Sequence, residues 1–126
     1  MLRKAIPMII PEDLEESIEF YRDVLGFVVA GRDEGVVELR SGQLTVWLHG
    51  EDAIEDEDYR EEVKSYKRGV GQNVCFEVDD VDKYYERVVE KGGAPVEQEP
   101  EDKPWGIRRF TVRDPDGFHL QFFSFV

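Results

Sequence analysis

The chain has 126 residues, with 16 basic against 29 acidic side chains, a formal net charge of −13, and one cysteine, Cys75. That length suits one domain able to bury roughly two thirds of the surface its unfolded chain exposes. The acidic balance argues against a nucleic-acid partner, and a lone cysteine excludes an intramolecular disulfide.

The opening MLRKAIPMIIPEDLEE is apolar for only a few residues before it meets prolines and acids. Neither a signal peptide nor a spanning helix is expected, and the reading is a soluble, cytoplasmic protein with no membrane partner. AIPMII reads as a short extended segment between Pro7 and Pro11, suited to an edge strand because proline donates no ladder bond. DLEESIEFYRDVLGF predicts a helix with Asp13 as N-cap, Glu16 three residues on, an apolar stripe of Leu14, Ile18, Tyr21 and Leu25, and Gly26 as the stop. FVVAGRD, GVVELR and QLTVWLH follow as strands, divided by turn signals from Gly31 to Gly35 and at Ser41 and Gly42. The stretch EDAIEDEDYREE carries eight carboxylates against one arginine. It reads as a solvated linker, with a short helix around Tyr59 to Tyr66, rather than as a cation-binding patch.

The second half repeats the first. VGQNVCFEVDDVDKYYERVVEKGGA is again a strand and a helix ending in glycine, and Asp80 to Gly93 has the same separation of 13 as Asp13 to Gly26. PVEQEP, IRRFTVRD and FHLQFFSF are three more strands, divided by KPWG and by the turn DPDG. The pattern is βαβββ twice within a single α+β domain over 1–126: module one about 1–50, the acidic linker about 51–69, module two about 70–126.

The paired modules, the strings DLEESIEFYRDVLGF and VCFEVDDVDKYYERV, and above all PWGIRRFTVRDPDGFHLQFF resemble the vicinal oxygen chelate superfamily. It includes glyoxalase I, extradiol dioxygenases, fosfomycin thiol transferases and bleomycin resistance proteins. AIPMIIPEDL and KPWGIRRFTVRDPDG look most like the bleomycin-resistance branch. The resemblance implies a curved mixed sheet per module, helices on the convex face, a concave ligand cleft, and a homodimer, often with exchanged first strands.

Metallo-members carry His, Gln or Glu at four inward strand positions, where converging N and O donors hold a divalent cation. Matched here, these are Ile6, a residue near Val46 or Trp47, Asn73 and Gln121. Ile6 donates nothing and the two amides are neutral, so no metal and no other cofactor is expected.

Strand alternation gives the lining of the cleft. Leu44, Val46 and Leu48 are read toward the core, as are Val74, Phe76, Val78, Leu120 and Phe122. Ile6, Met8, Ile10, Thr45, Trp47, His49, Asn73, Cys75, Glu77, His119, Gln121 and Phe123 are left for the cleft. Cys75 also reads as a small buried filler, and no base is identifiable beside it. Trp105, beside Gly106 in a loop, suits a residue closing over a planar group. Of Arg108 and Arg109 one points inward and one outward, and an inward arginine pairs with Glu77 or a ligand carboxylate; Arg108 is counted with the ligand contacts. His49 and His119 also admit a reading as strand histidines at sheet ends, and Trp47 as a core or dimer-interface aromatic.

The expected protein is a metal-free, dimeric small-molecule binder that sequesters a cationic or aromatic amphiphile such as an antibiotic, with no catalytic residue. Trp47, Trp105 and Phe123 supply stacking area, Glu77 attracts cationic groups, and Asn73, His119 and Gln121 orient polar atoms. The competing reading is a metal-dependent lyase or thiol transferase of the same superfamily, with an altered ligand set drawn from His49, Glu77, His119 and Gln121.

Overall fold

A computed structural model describes residues 1–126 and divides them into two compact units, Met1–Lys67 and Arg68–Val126. The fold is α+β, with one four-stranded mixed sheet in each unit. No helix is long and apolar enough to cross a membrane.

In the first unit the elements are β1 (Met8–Ile9), α1 (Leu14–Glu19), β2 (Val28–Asp33), β3 (Val36–Ser41), β4 (Leu44–His49) and α2 (Glu57–Ser65). The sheet order is β1-β4-β3-β2, with β1 parallel to β4 and the other pairs antiparallel. Pro7 and Pro11 confine β1 to two residues, and Pro7 still contributes its carbonyl, which accepts from Trp47 N–H at 3.0 Å.

The helix begins as expected, with the Asp13 carboxylate accepting from Glu16 N–H at 3.1 Å. It does not continue as one α-helix to Gly26. Over Phe20–Val24 it widens into a π-turn, in which Leu25 N–H bonds back five residues to the Phe20 carbonyl at 3.2 Å. The cause is the breadth of its apolar face. Ile18, Phe20, Tyr21, Leu25 and Phe27 are all buried, and a 3.6-residue turn cannot direct both Phe20 and Tyr21 inward as well as the wider turn does.

Beneath α1 lie Ile9, Val37, Leu39, Val46 and Leu48, all essentially without exposed surface. Leu44, expected with them, is 40% exposed; it pairs with Ser41 as the last rung of the β3–β4 hairpin.

The acidic segment is a folded part of the first unit. A 3-10 turn over Glu51–Ala53 leads to α2, which Asp56 caps by accepting from Tyr59 N–H at 3.0 Å. Ile54 is buried, Arg60 donates to its carbonyl at 2.8 Å, and Lys64 bridges to Asp52 at 2.7 Å. One apolar side chain and one arginine thus anchor a run whose carboxylates stay in water.

The second unit contains β5 (Asn73–Glu77), α3 (Val81–Lys91), β6 (Val96–Asp102), β7 (Ile107–Arg113) and β8 (His119–Phe125), with sheet order β5-β8-β7-β6 and β5 parallel to β8. Pro100 lies on the edge strand β6, where the missing donor is tolerated and the ladder is irregular. Asp80 caps α3 by accepting from Lys83 N–H at 3.1 Å, and the helix stops at Gly92, one residue before the glycine expected, with φ at +73°. Asp80→Ala is expected to cost about 1 kcal/mol, the usual value of a lost N-cap, read as a lower urea midpoint with an unchanged slope.

In the DPDG turn the buried Asp114 carboxylate accepts from the backbone N–H groups of Asp116 and Phe118, both at 2.9 Å. Gly69 closes against this turn: its φ is +82°, and a Cβ there would stand 2.5 Å from the Gly117 carbonyl carbon, a contact that no side chain tolerates.

The core of this unit is aromatic. Phe122 stacks on Phe76 and Phe110 with centroids at 5.3 and 5.2 Å, and Tyr84 of α3 sits 4.9 Å from Phe122. Burial pushes the Tyr84 phenol up to about 12. Above pH 10 the unfolded chain loses this proton while the folded chain keeps it, so folding stability falls as pH rises through the window from 10 to 12. The fall attributable to Tyr84 is about 2–3 kcal/mol. Urea melts across that window should show it, and Tyr84→Phe should remove this share of the decline.

Candidate functional site

In each unit the strand pleat sends one set of side chains beneath the helix and leaves the other set on the open face. On the first unit's open face a groove of about 660 Å³ is bounded by Met8 and Ile10 beside β1, Trp47 and His49 on β4, and Val36 and Glu38 on β3. The register explains the grouping, since Met8 is opposite Trp47, Trp47 opposite Glu38, and His49 opposite Val36. The end of β2 adds Asp33, the turn after it Glu34, and the acidic segment adds Ile54, Glu55 and Tyr59.

Four carboxylates therefore meet one arginine around an apolar and aromatic floor. Arg32 is held by Glu15, and Arg40 reaches Glu38 at 3.1 Å, while Asp33, Glu34 and Glu55 have no basic partner. His49 Nδ1 donates to the Gly50 carbonyl at 2.9 Å, which places the neutral ring's proton on that nitrogen and leaves Nε2 as the acceptor. The volume suits a small molecule, and the excess of negative charge favours a cationic one.

On the second unit's open face, Asn73, Cys75 and Glu77 of β5 stand opposite His119, Gln121 and Phe123 of β8. Those in turn stand opposite Arg113, Thr111 and Arg109 of β7. Glu97 bridges Arg113 at 2.8 Å and His119 at 3.1 Å. Arg109 Nη1 donates to Gln121 Oε1 at 2.8 Å, and the Trp105 ring lies 5.4 Å from the Arg109 guanidinium.

A sequence profile of the Glyoxalase/Bleomycin resistance protein/Dioxygenase superfamily matches residues 6–122. The chain belongs to this superfamily. It is 26% identical over 130 residues to a bleomycin resistance protein of Geobacillus stearothermophilus, covering 96% of each chain. Over 112 residues it is 30% identical to a lactoylglutathione lyase of Haemophilus influenzae, covering 87% of this chain and 83% of that protein. A crystal structure of a glyoxalase/bleomycin resistance protein/dioxygenase from Nocardioides has the same fold, with a TM-score of 0.80 at 24% identity, over 100% of this chain and 86% of that one.

The glyoxalase-type scaffold puts the residues singled out from sequence in two groups. Trp47 and His49 fall in the first unit's groove. Asn73, Glu77, His119, Gln121 and Phe123 share the second unit's open face, with Trp105 joined to them through Arg109.

Arg108 does not join either group. It lies on the helix face, where Asp82 of α3 takes its guanidinium at 3.1 Å and Asp102 at 3.2 Å. Its neighbour Arg109 holds the open-face position. Cys75 is exposed, not a buried filler.

The donor set does not fit the divalent metal that superfamily enzymes carry. Ile6 offers no donor atom, Asn73 is an exposed neutral amide, and no group of three or more His, Cys, Asp or Glu side chains converges anywhere in the chain. Gln121, matched by the family resemblance to a ligand position, has its oxygen already accepting from a guanidinium. A cation seeking that oxygen would meet a positive charge at hydrogen-bond distance.

Of the groove's lining, the sequence reading had named Met8, Ile10, Trp47 and His49; Val36 and Glu38 of β3, the charged Arg32, Asp33 and Glu34, and Ile54, Glu55 and Tyr59 of the acidic segment lay outside it. The signal for Glu55 and Tyr59 is the density of carboxylates around Tyr59, which a solvated helix also shows.

Proposed function

We propose that the protein is a metal-free small-molecule binding protein that captures a cationic, aromatic amphiphile in the first unit's groove, by stoichiometric binding rather than chemistry. The observation that carries this is the joining of Trp47, Tyr59 and Met8 to carboxylates without basic partners. Aromatic faces stabilise a cation through their quadrupole, and the surplus acid adds long-range attraction. The name of the Geobacillus relative makes a cationic glycopeptide of the bleomycin kind the first ligand to test. The working form proposed is a soluble homodimer, as the family resemblance implies.

The test is calorimetric titration of the chelator-treated chain with bleomycin and with small aromatic cations. Saturable binding near one ligand per chain, weakening as salt is raised, is the expected result; no heat across the panel would sink the proposal. A second reading, a metal-dependent lyase, draws on the Haemophilus relative. It would prevail if added Zn, Ni or Mn bound stoichiometrically and conferred lactoylglutathione lyase activity.

A further inference from the structure

On the second unit's open face, three neighbouring side chains hold donors that the chain itself does not use. Arg109 and Thr111 are alternate residues of β7, and Thr111 is opposite Gln121 on β8, so the pleat brings all three to one face. The bond from Arg109 Nη1 to Gln121 Oε1 orients the guanidinium and leaves the Gln121 amide nitrogen as a donor. Arg109 Nε is buried with no acceptor, and so is the hydroxyl of Thr111, a residue with no exposed surface.

The chain does not lack carboxylates to satisfy this arginine. Glu101 stands opposite Arg109 in register but goes to Lys103 at 3.4 Å, and Glu97 matches Arg113. In a protein of net charge −13, Arg109 alone on this face has a guanidinium without an ion pair. A part-buried charge left so is unfavourable unless an anion arrives. Its central carbon lies over the Trp105 ring, 5.4 Å from the centroid, and that ring is 62% exposed; a cation–π contact of this kind is compatible with hydrogen bonding at the guanidinium edge.

We propose that this face is an oxyanion subsite that takes a carboxylate side-on at the Nε–Nη2 edge of Arg109, flanked by the Thr111 hydroxyl and the Gln121 amide N–H groups, beneath Trp105. The planar two-oxygen group matches the guanidinium fork, and a single negative charge suits an acidic protein better than a phosphate dianion does. Because Nε lies below the surface, binding moves Trp105, and its indole reports entry.

The test uses the 15N-labelled full chain, whose two tryptophans give separate indole N–H signals, assigned with Trp105→Phe. Titration with cyclohexanecarboxylate is expected to shift the Trp105 signal saturably, and cyclohexanecarboxamide to leave it in place. Affinity should fall at least tenfold in Arg109→Gln and several-fold in Thr111→Val. A flat response to the carboxylate, an equal response to the carboxamide, or undiminished binding in folded Arg109→Gln overturns the proposal. So does tighter binding of inorganic phosphate, which would assign the subsite to phosphate instead. If Arg109→Gln does not fold, Thr111→Val and the carboxamide comparison decide. The first unit's groove is read in the same samples through the Trp47 indole with small aromatic cations, so either proposal can fail while the other stands.

Discussion

Phe122→Ala is expected to destabilise the protein by about 3–5 kcal/mol, the range for deleting a buried phenyl ring. Phe122 is 1% exposed and stands at the junction of three rings, with Phe76 and Phe110 stacked on it and Tyr84 tilted against it. These partners come from β5, β7 and α3, so the ring joins helix to sheet at a single point. Removing it leaves a cavity that three elements would have to collapse into together. The loss should therefore fall at the upper end of that range, because aromatic contacts go along with buried area. Urea unfolding followed by circular dichroism gives the number, and Phe122→Leu should lose distinctly less by refilling most of the volume. A loss under about 1 kcal/mol in Phe122→Ala would mean the ring is not packed as placed.

That core was legible in the sequence because a sheet covered on one side by a helix imposes a period of two, and FHLQFFSF and NVCFEV obey it. The open faces were legible by the same parity, which places Trp47 with His49, and Gln121 with His119. Arg108 shows where the reading stopped short. Alternation requires Arg108 and Arg109 to face opposite ways, but the side each takes depends on which neighbours are core. IRRFTVR carries that answer in Phe110 and Val112, both fully buried, which assign Arg108 to the helix face. What no local pattern held was the tertiary part. The π-turn at Phe20–Val24 answers the packing demands of Phe20 and Tyr21 together. The approach of Glu55 and Tyr59 to Trp47 depends on Ile54 being buried, a single apolar residue in a run of acids.

Trp47→Ala is expected to weaken binding of a cationic aromatic ligand by about 2 kcal/mol, roughly 30-fold in Kd. Trp47 lies on β4 between Met8 and Glu38, so its indole forms the floor between the apolar and acidic parts of the groove. Alanine there removes the aromatic face and leaves the carboxylates. The residual binding should accordingly be more salt-sensitive relative to its strength than in the native chain, since only the screened part survives. Trp47→Phe keeps a weaker quadrupole and should fall between the two. Glu38→Gln, which removes one charge already bridged by Arg40, should change affinity much less than Trp47→Ala. Trp47 is on the face away from α1, so its removal should cost less stability than Phe122→Ala, and a binding defect can be measured on folded protein. If Trp47→Ala bound aromatic cations as tightly as the native chain, ligand capture would have to lie elsewhere than in this groove.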